Sequence, residues 1–118
     1  MKRALVIEDN KSIADLIKKT LGMSGIMVEI ASNGNEGIIK YNDENFDLVI
    51  TDINMPEIGG EEVCDHIRES NRPATPIIGI TGTVGILPKN RFDEVIHKPF
   101  SLKILTNRVQ NLLQEKKE

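Results

Sequence analysis

The chain has 118 residues, 39% of them hydrophobic and 28% charged, the size and balance of one globular domain with a single core, so one domain spanning 1–118 is expected. A formal net charge of -3 supplies no basic field for a phosphate backbone, no run of about eighteen apolar residues is present to span a bilayer, and MKRALVIEDN lacks the apolar segment of a signal peptide. Direct nucleic-acid binding and membrane insertion are therefore not expected, and the lone Cys64, which cannot form an internal bridge and reads as a small buried hydrophobe, fits a reducing cytoplasm.

In chain order, apolar runs of strand length alternate with segments of helical period, the pattern of successive βα units around a parallel sheet. Strands are predicted at Ala4–Ile7, Met27–Ala31, Leu48–Thr51, Ile77–Ile80 and Glu94–His97. Three of them are apolar nearly throughout, as expected where helices cover both faces of a sheet. The first helix follows Asn10 as N-cap, carries Ile13, Leu16, Ile17 and Leu21 at helical spacing, and is closed by Gly22 and Gly25. A second is predicted near Asn35–Asn42, although Gly37 weakens it. A third, about Glu61–Ser70, places Val63 and Ile67 on one side and is stopped by Asn71, Arg72 and Pro73. Between the fourth and fifth strands, TGTVGILPKNRFD contains Gly85 and Pro88 and leaves little room for a fourth helix. The last helix begins at Ser101, with Leu102, Leu105, Val109 and Leu112 on one stripe, Phe100 and Leu105 placed for a hydrophobic staple, and a charged tail, Gln114–Glu118, expected to fray.

In an open parallel sheet, ligands bind beyond the carboxyl ends of the strands, so the residues there carry the functional information. The first strand ends in Glu8 and Asp9, the third in Asp52, the fourth in Thr81 and Gly82, and the fifth in Lys98 before Pro99. Three carboxylates on one edge repel unless a cation sits among them, and hard oxygen ligands with no strand-end His or Cys select Mg²⁺. A carboxylate is itself able to act as a nucleophile and form an aspartyl-phosphate, with the metal and Lys98 offsetting the charge of the transferring group. The two histidines stand apart from this edge: His66 reads as a surface residue, and neither it nor His97 is given a role. Met23, Met27 and Met55 read as packing residues.

Taken in order, the ED at 8 and 9, the NG of ASNGNEG, DINMPEIGG at 52–60, the Thr81-Gly82 pair and the KPF at 98–100 make the chain resemble the receiver domain of two-component response regulators over its whole length. The resemblance implies an α/β, flavodoxin-like fold: a doubly wound (βα)5 domain with a five-stranded parallel sheet of order 2-1-3-4-5. By the same resemblance Asp52 is the phosphoacceptor, Asp9, Asp52 and the Asn54 backbone carbonyl bind Mg²⁺, and Glu8 acts on the metal mainly through water. Thr81 would bond a phosphoryl oxygen, Lys98 would pair with the phosphoryl group, the Asn54 and Gly82 amides would help hold it, and Lys98-Pro99 would be cis.

The implied function is Mg²⁺-dependent acceptance of a phosphoryl group from a sensor histidine kinase or phosphotransfer protein. The chain would catalyse only its own phosphorylation and dephosphorylation, and would signal by protein contact to an unknown downstream partner, as a stand-alone regulator or as a domain of a longer one. A haloacid-dehalogenase-type phosphohydrolase is the alternative from another class. It needs a second Asp two residues after the nucleophile, where Asn54 stands, and a cap domain for which there is no room. Three departures from the receiver pattern concern the third helix and the switch. Gly59 stands where an Asp often precedes the glycine, so the third helix is expected to lack its side-chain cap. Val95 stands where receivers carry Tyr or Phe, and the interval from Thr81 to Lys98 is short, so Thr83–Phe92 is expected to act as the switching segment.

Overall fold

The structure, a computed structural model, describes residues 1–83 and 91–115. Its elements are β1 (Arg3–Ile7), α1 (Lys11–Gly22), β2 (Met27–Ala31), α2 (Gly34–Asp43), β3 (Leu48–Asp52), α3 (Gly60–Arg68), β4 (Ile77–Thr81), β5 (Glu94–His97) and α4 (Leu102–Glu115). All five strands pair in parallel, in the order β2-β1-β3-β4-β5. β3 and β4 are buried at every position, and their apolar runs feed two separate layers. On one face Val6, Ile50 and Ile80 pack with Ile17 and Leu21 of α1 and Leu105 and Val109 of α4. On the other, Ile7, Val49 and Ile77 pack with Tyr41 of α2 and Val63, Cys64 and Ile67 of α3. This is the doubly wound, flavodoxin-like arrangement that the resemblance implies, with four helices among the described residues. No helix among them is long and apolar enough to cross a membrane.

The order β2-β1-β3 reverses the direction of strand addition at β1, and that reversal opens a crevice at the carboxyl end of the sheet. β3 and β4 each run one residue beyond the predicted limit, so Asp52 and Thr81 are the last residues of their strands and are held by the ladder itself: Asp52 pairs in register with Ile80, and Thr81 with His97. Side chains mounted on a strand end are more rigid than side chains on a free loop.

Helix starts explain how the connections are set. Asn10 caps α1 as predicted, its Oδ1 accepting from the Ile13 N–H at 3.0 Å. Asn33 caps α2 by accepting from the Glu36 N–H at 2.8 Å, while the Glu36 carboxylate reaches back to the Ser32 N–H at 2.8 Å. This reciprocal capping offsets the cost of Gly37 and extends α2 to Gly34–Asp43, beyond the predicted Asn35–Asn42. Gly59 gives α3 no side-chain cap, as expected, but Glu62 accepts from the Gly59 N–H at 3.0 Å and supplies the other half of the motif. Gly60 is demanded by close approach: a Cβ there would lie 2.6 Å from the Asp52 carbonyl oxygen, so any larger residue would push α3 away from the end of β3. Ser101 caps α4 through its Oγ to the Ile104 N–H at 3.0 Å, and Phe100 packs against the layer that contains Leu105.

The structure corrects several expectations. Leu16 is 49% exposed rather than part of the inward stripe of α1, which is Ala14, Ile17 and Leu21. Each helical residue turns by about 100°, and Leu16 is carried toward an open groove of about 440 Å³ that it shares with Ile13, Phe100 and Leu102. Leu102 is only half-buried for the same reason. Met23 and Met27 are 82% and 53% exposed, not packing residues, whereas Met55 is buried as expected. His66 is half-buried, not a free surface residue: its Nε2 meets Asn42 Oδ1 at 2.8 Å and its ring packs edge-on to Tyr41, joining α3 to α2. α3 ends at Arg68, short of Ser70, because the Ser70 Oγ donates to the Ile67 carbonyl at 2.6 Å and turns the chain. α4 continues through Gln114 and Glu115, where fraying was expected, and residues 116–118 lie outside the described residues. Most of the segment read as leaving little room for a fourth helix and as the switching segment, residues 84–90, also lies outside them.

β5 is docked beside β4 by Arg68. Its guanidinium donates to the Thr75 carbonyl at 2.7 Å, the Pro73 carbonyl at 2.8 Å, the Arg91 carbonyl and the Asp93 carboxylate, which itself accepts from the Ile77 N–H at 2.7 Å. One side chain thus fixes where both strands begin, and through β5 it sets where Lys98 emerges.

Candidate functional site

Six residues chosen from the sequence meet at the carboxyl edge. Glu8 and Asp9 follow β1, Asp52 ends β3, Asn54 lies two residues beyond it, Thr81 ends β4, and Lys98 follows β5 across a cis Lys98-Pro99 bond, as expected. Carboxylate oxygens of Glu8, Asp9 and Asp52 lie within 4.8 Å of one another. Glu8 and Asp52 are 2% and 4% exposed, while Asp9 is open to solvent. Lys98 Nζ lies 3.3 Å from Asp52 Oδ2 and 3.8 Å from Glu8 Oε1. The Asn54 N–H donates to Asp52 Oδ1 at 3.0 Å, so the two carboxylate oxygens of Asp52 face different partners.

Among the described residues charge balance is incomplete at this edge, where one ammonium faces three carboxylates. Glu8 Oε2 accepts from the Asn10 N–H at 3.1 Å, but Glu8 Oε1 is buried with no hydrogen-bond partner among the described residues. Burial is the main cause that pushes the Glu8 carboxyl up to about 7, with the Asp52 charge adding to it and the Asn10 amide and Lys98 opposing it. An orphaned, desolvated carboxylate oxygen beside two further carboxylates is the donor set that a hard divalent cation completes. The residues present therefore fit a metal ion.

Around Thr81, hydrogen bonds cross between strands. The Thr81 hydroxyl donates to Asn54 Oδ1 at 2.7 Å, the Gly82 N–H donates to the same oxygen at 3.2 Å, and the Thr83 N–H donates to Thr81 Oγ1 at 3.1 Å. From the sequence, Asn54 is expected to act through its backbone only. A polar residue two positions past a strand-end Asp was the available signal, but nothing local says where its side chain reaches.

The profile of the response regulator receiver domain matches residues 4–110. This chain belongs to that family. The receiver is 39% identical to the uncharacterized transcriptional regulatory protein YrkP of Bacillus subtilis over 98% of its own length and 54% of that protein. In three dimensions it superposes on a CheY-like receiver domain protein of Methanospirillum hungatei with a TM-score of 0.92 and 30% identity, covering 99% of this chain and 97% of that one. It superposes on the response regulator TrrA of Thermotoga maritima, solved in complex with Mg²⁺-BeF, with a TM-score of 0.86 and 36% identity, covering 95% of this chain and 99% of that one. The receiver spans about half the length of the curated relatives it matches. It is a receiver domain of two-component response regulators, and its Glu8, Asp9 and Asp52 cluster fits the phosphorylation site of such domains. The dehalogenase-type reading is not favoured.

One departure noted in the sequence has a structural counterpart. Val95 is half-buried on β5 and pairs in register with Gly79. A Cβ on Gly79 would lie 2.9 Å from the Phe92 ring, so the aromatic ring against this part of the receiver's β4 comes from Phe92.

Proposed function

We propose that residues 1–118 form one receiver domain in which Asp52 accepts a phosphoryl group from the phosphohistidine of a sensor histidine kinase or a phosphotransfer protein. An Asp52 carboxylate oxygen attacks phosphorus, the P–N bond breaks with its electron pair passing to the imidazole nitrogen, and an acyl phosphate forms on Asp52. Glu8, Asp9, Asp52 and the Asn54 carbonyl would hold Mg²⁺, Glu8 mainly through water. When bound, the ion supplies positive charge against the phosphoryl oxygens. Lys98 moves its ion pair from Asp52 to the phosphoryl group, and the Thr81 hydroxyl and the Asn54 and Gly82 amides bind its oxygens. The chain turns over no other substrate: it catalyses its own phosphorylation and dephosphorylation, acts in the cytoplasm, and passes the signal on through phosphorylation-dependent contacts with a downstream protein.

The observation that carries this reading is the buried Asp52 carboxylate with Lys98 Nζ at 3.3 Å and two further carboxylates alongside. Since the curated relatives are about twice as long, the second reading is that these residues are the receiver portion of a longer regulator, with the same chemistry at Asp52. Intact-mass measurement after incubation with acetyl phosphate and Mg²⁺ tests the assignment. One phosphoryl adduct is expected, and its undiminished formation in Asp52→Asn or in excess chelator would overturn the assignment.

A further inference from the structure

We propose that the Asn54 carboxamide is a placeholder for a phosphoryl oxygen, holding the Thr81 hydroxyl and the Gly82 amide in the resting state until the incoming group displaces it. The inference rests on Asp52 being the phosphoacceptor.

The bonding pattern leaves one assignment of hydrogens. The Gly82 N–H can only donate, so the Asn54 atom facing it at 3.2 Å is the carboxamide oxygen. The Thr83 N–H can only donate as well, and it occupies a lone pair of Thr81 Oγ1 at 3.1 Å, which leaves the hydroxyl proton free to point at Asn54 Oδ1, 2.7 Å away. Two donors from the end of β4 thus converge on one neutral oxygen. The same residue donates its own N–H to Asp52 Oδ1 at 3.0 Å, so Asn54 joins the nucleophile to the two donors that the phosphoryl group would need. Thr81 is 2% exposed, whereas Asn54 is exposed and free to swing out.

The exchange has a definite direction. Hydrogen bonds to an anionic oxygen are about twice as strong as those to a neutral carboxamide, so a phosphoryl oxygen takes the seat from Asn54. Until then the seat is filled, and its donors stay aligned and satisfied. Asn54 is therefore a positioning residue that raises the threshold for anions at Asp52.

The test titrates beryllofluoride with Mg²⁺, as a phosphoryl probe, into the full chain by calorimetry. Wild type, Asn54→Ala, Thr81→Ala and the double variant are compared, with Asp52→Asn as the control for the site. Emptying the seat in Asn54→Ala is expected to tighten binding about tenfold, the equivalent of the net strength of one hydrogen bond, ~1.4 kcal/mol. Thr81→Ala should weaken binding more in the Asn54→Ala background than in wild type, because only there does the hydroxyl gain a partner instead of exchanging one. In the resting protein the Gly82 amide should exchange slowly with solvent, and faster in Asn54→Ala. Binding that is unchanged or weaker in Asn54→Ala, additive effects in the double variant, or equal Gly82 exchange would each overturn the placeholder while leaving Asp52 as acceptor. Failure of wild type to bind the probe in an Asp52-dependent way would instead overturn the phosphoacceptor reading and the placeholder with it.

Discussion

Raising the pH of the metal-free protein should destabilise it through Glu8. In the fold this carboxyl is pushed from an ordinary 4.5 to about 7, chiefly by burial, and it faces the charges of Asp52, Asp9 and Lys98. Because the folded-state value is raised, the stabilising contribution is fully present below pH 4.5, where both states are protonated, and is lost as pH rises through about 7. Between those limits the folded state holds one proton more than the unfolded chain, so stability falls by about 1.4 kcal/mol per pH unit and by ~3 kcal/mol in all. Urea unfolding of wild type and Glu8→Gln at pH 5 to 8.5 in excess chelator isolates this effect, because the two proteins differ only at residue 8. Above pH 7, Glu8→Gln should be the more stable by a few kcal/mol, and the gap should close toward pH 5. Adding Mg²⁺ at pH 8 should recover most of the loss in wild type. Parallel stability curves for the two proteins across this range would refute the claim that an ionised Glu8 is uncompensated in the metal-free fold.

Lys98→Ala should slow labelling of Asp52 by acetyl phosphate about a hundredfold, the usual loss when one preorganised electrostatic contact to a developing charge is removed, and stopped-time intact-mass spectra would measure it. On α1, Ile17→Ala should cost about 2–5 kcal/mol in urea unfolding, while Leu16→Ala should stay within about 0.5 kcal/mol, since only Ile17 is packed inside the fold.

The strands, the alternation with helices and the chemistry of the sheet edge could all be read from the sequence. Apolar runs, turn residues and caps such as Asn10 act within a few positions of themselves, and the strand-end residues Glu8, Asp9, Asp52, Thr81 and Lys98 follow from where each apolar run stops. The resemblance carried by those residues added the strand order. Contacts between distant parts of the chain were decided elsewhere. Leu16 and Ile17 are adjacent and both apolar, and only the packing of α1 against the sheet turns one outward and the other in. The half-burial of His66 depends on where α2 lies, because its Nε2 meets Asn42 across 24 positions. The same holds at the site: Lys98 meets Asp52 across 46 positions, and the Asn54 carboxamide meets Thr81 across 27. Such meetings are set by sheet register and by the neighbouring strands, which among the described residues bury Glu8 Oε1 without a hydrogen-bond partner and leave Asn54 Oδ1 with two. Local sequence chooses the donors and acceptors, and the parallel sheet decides which of them face each other.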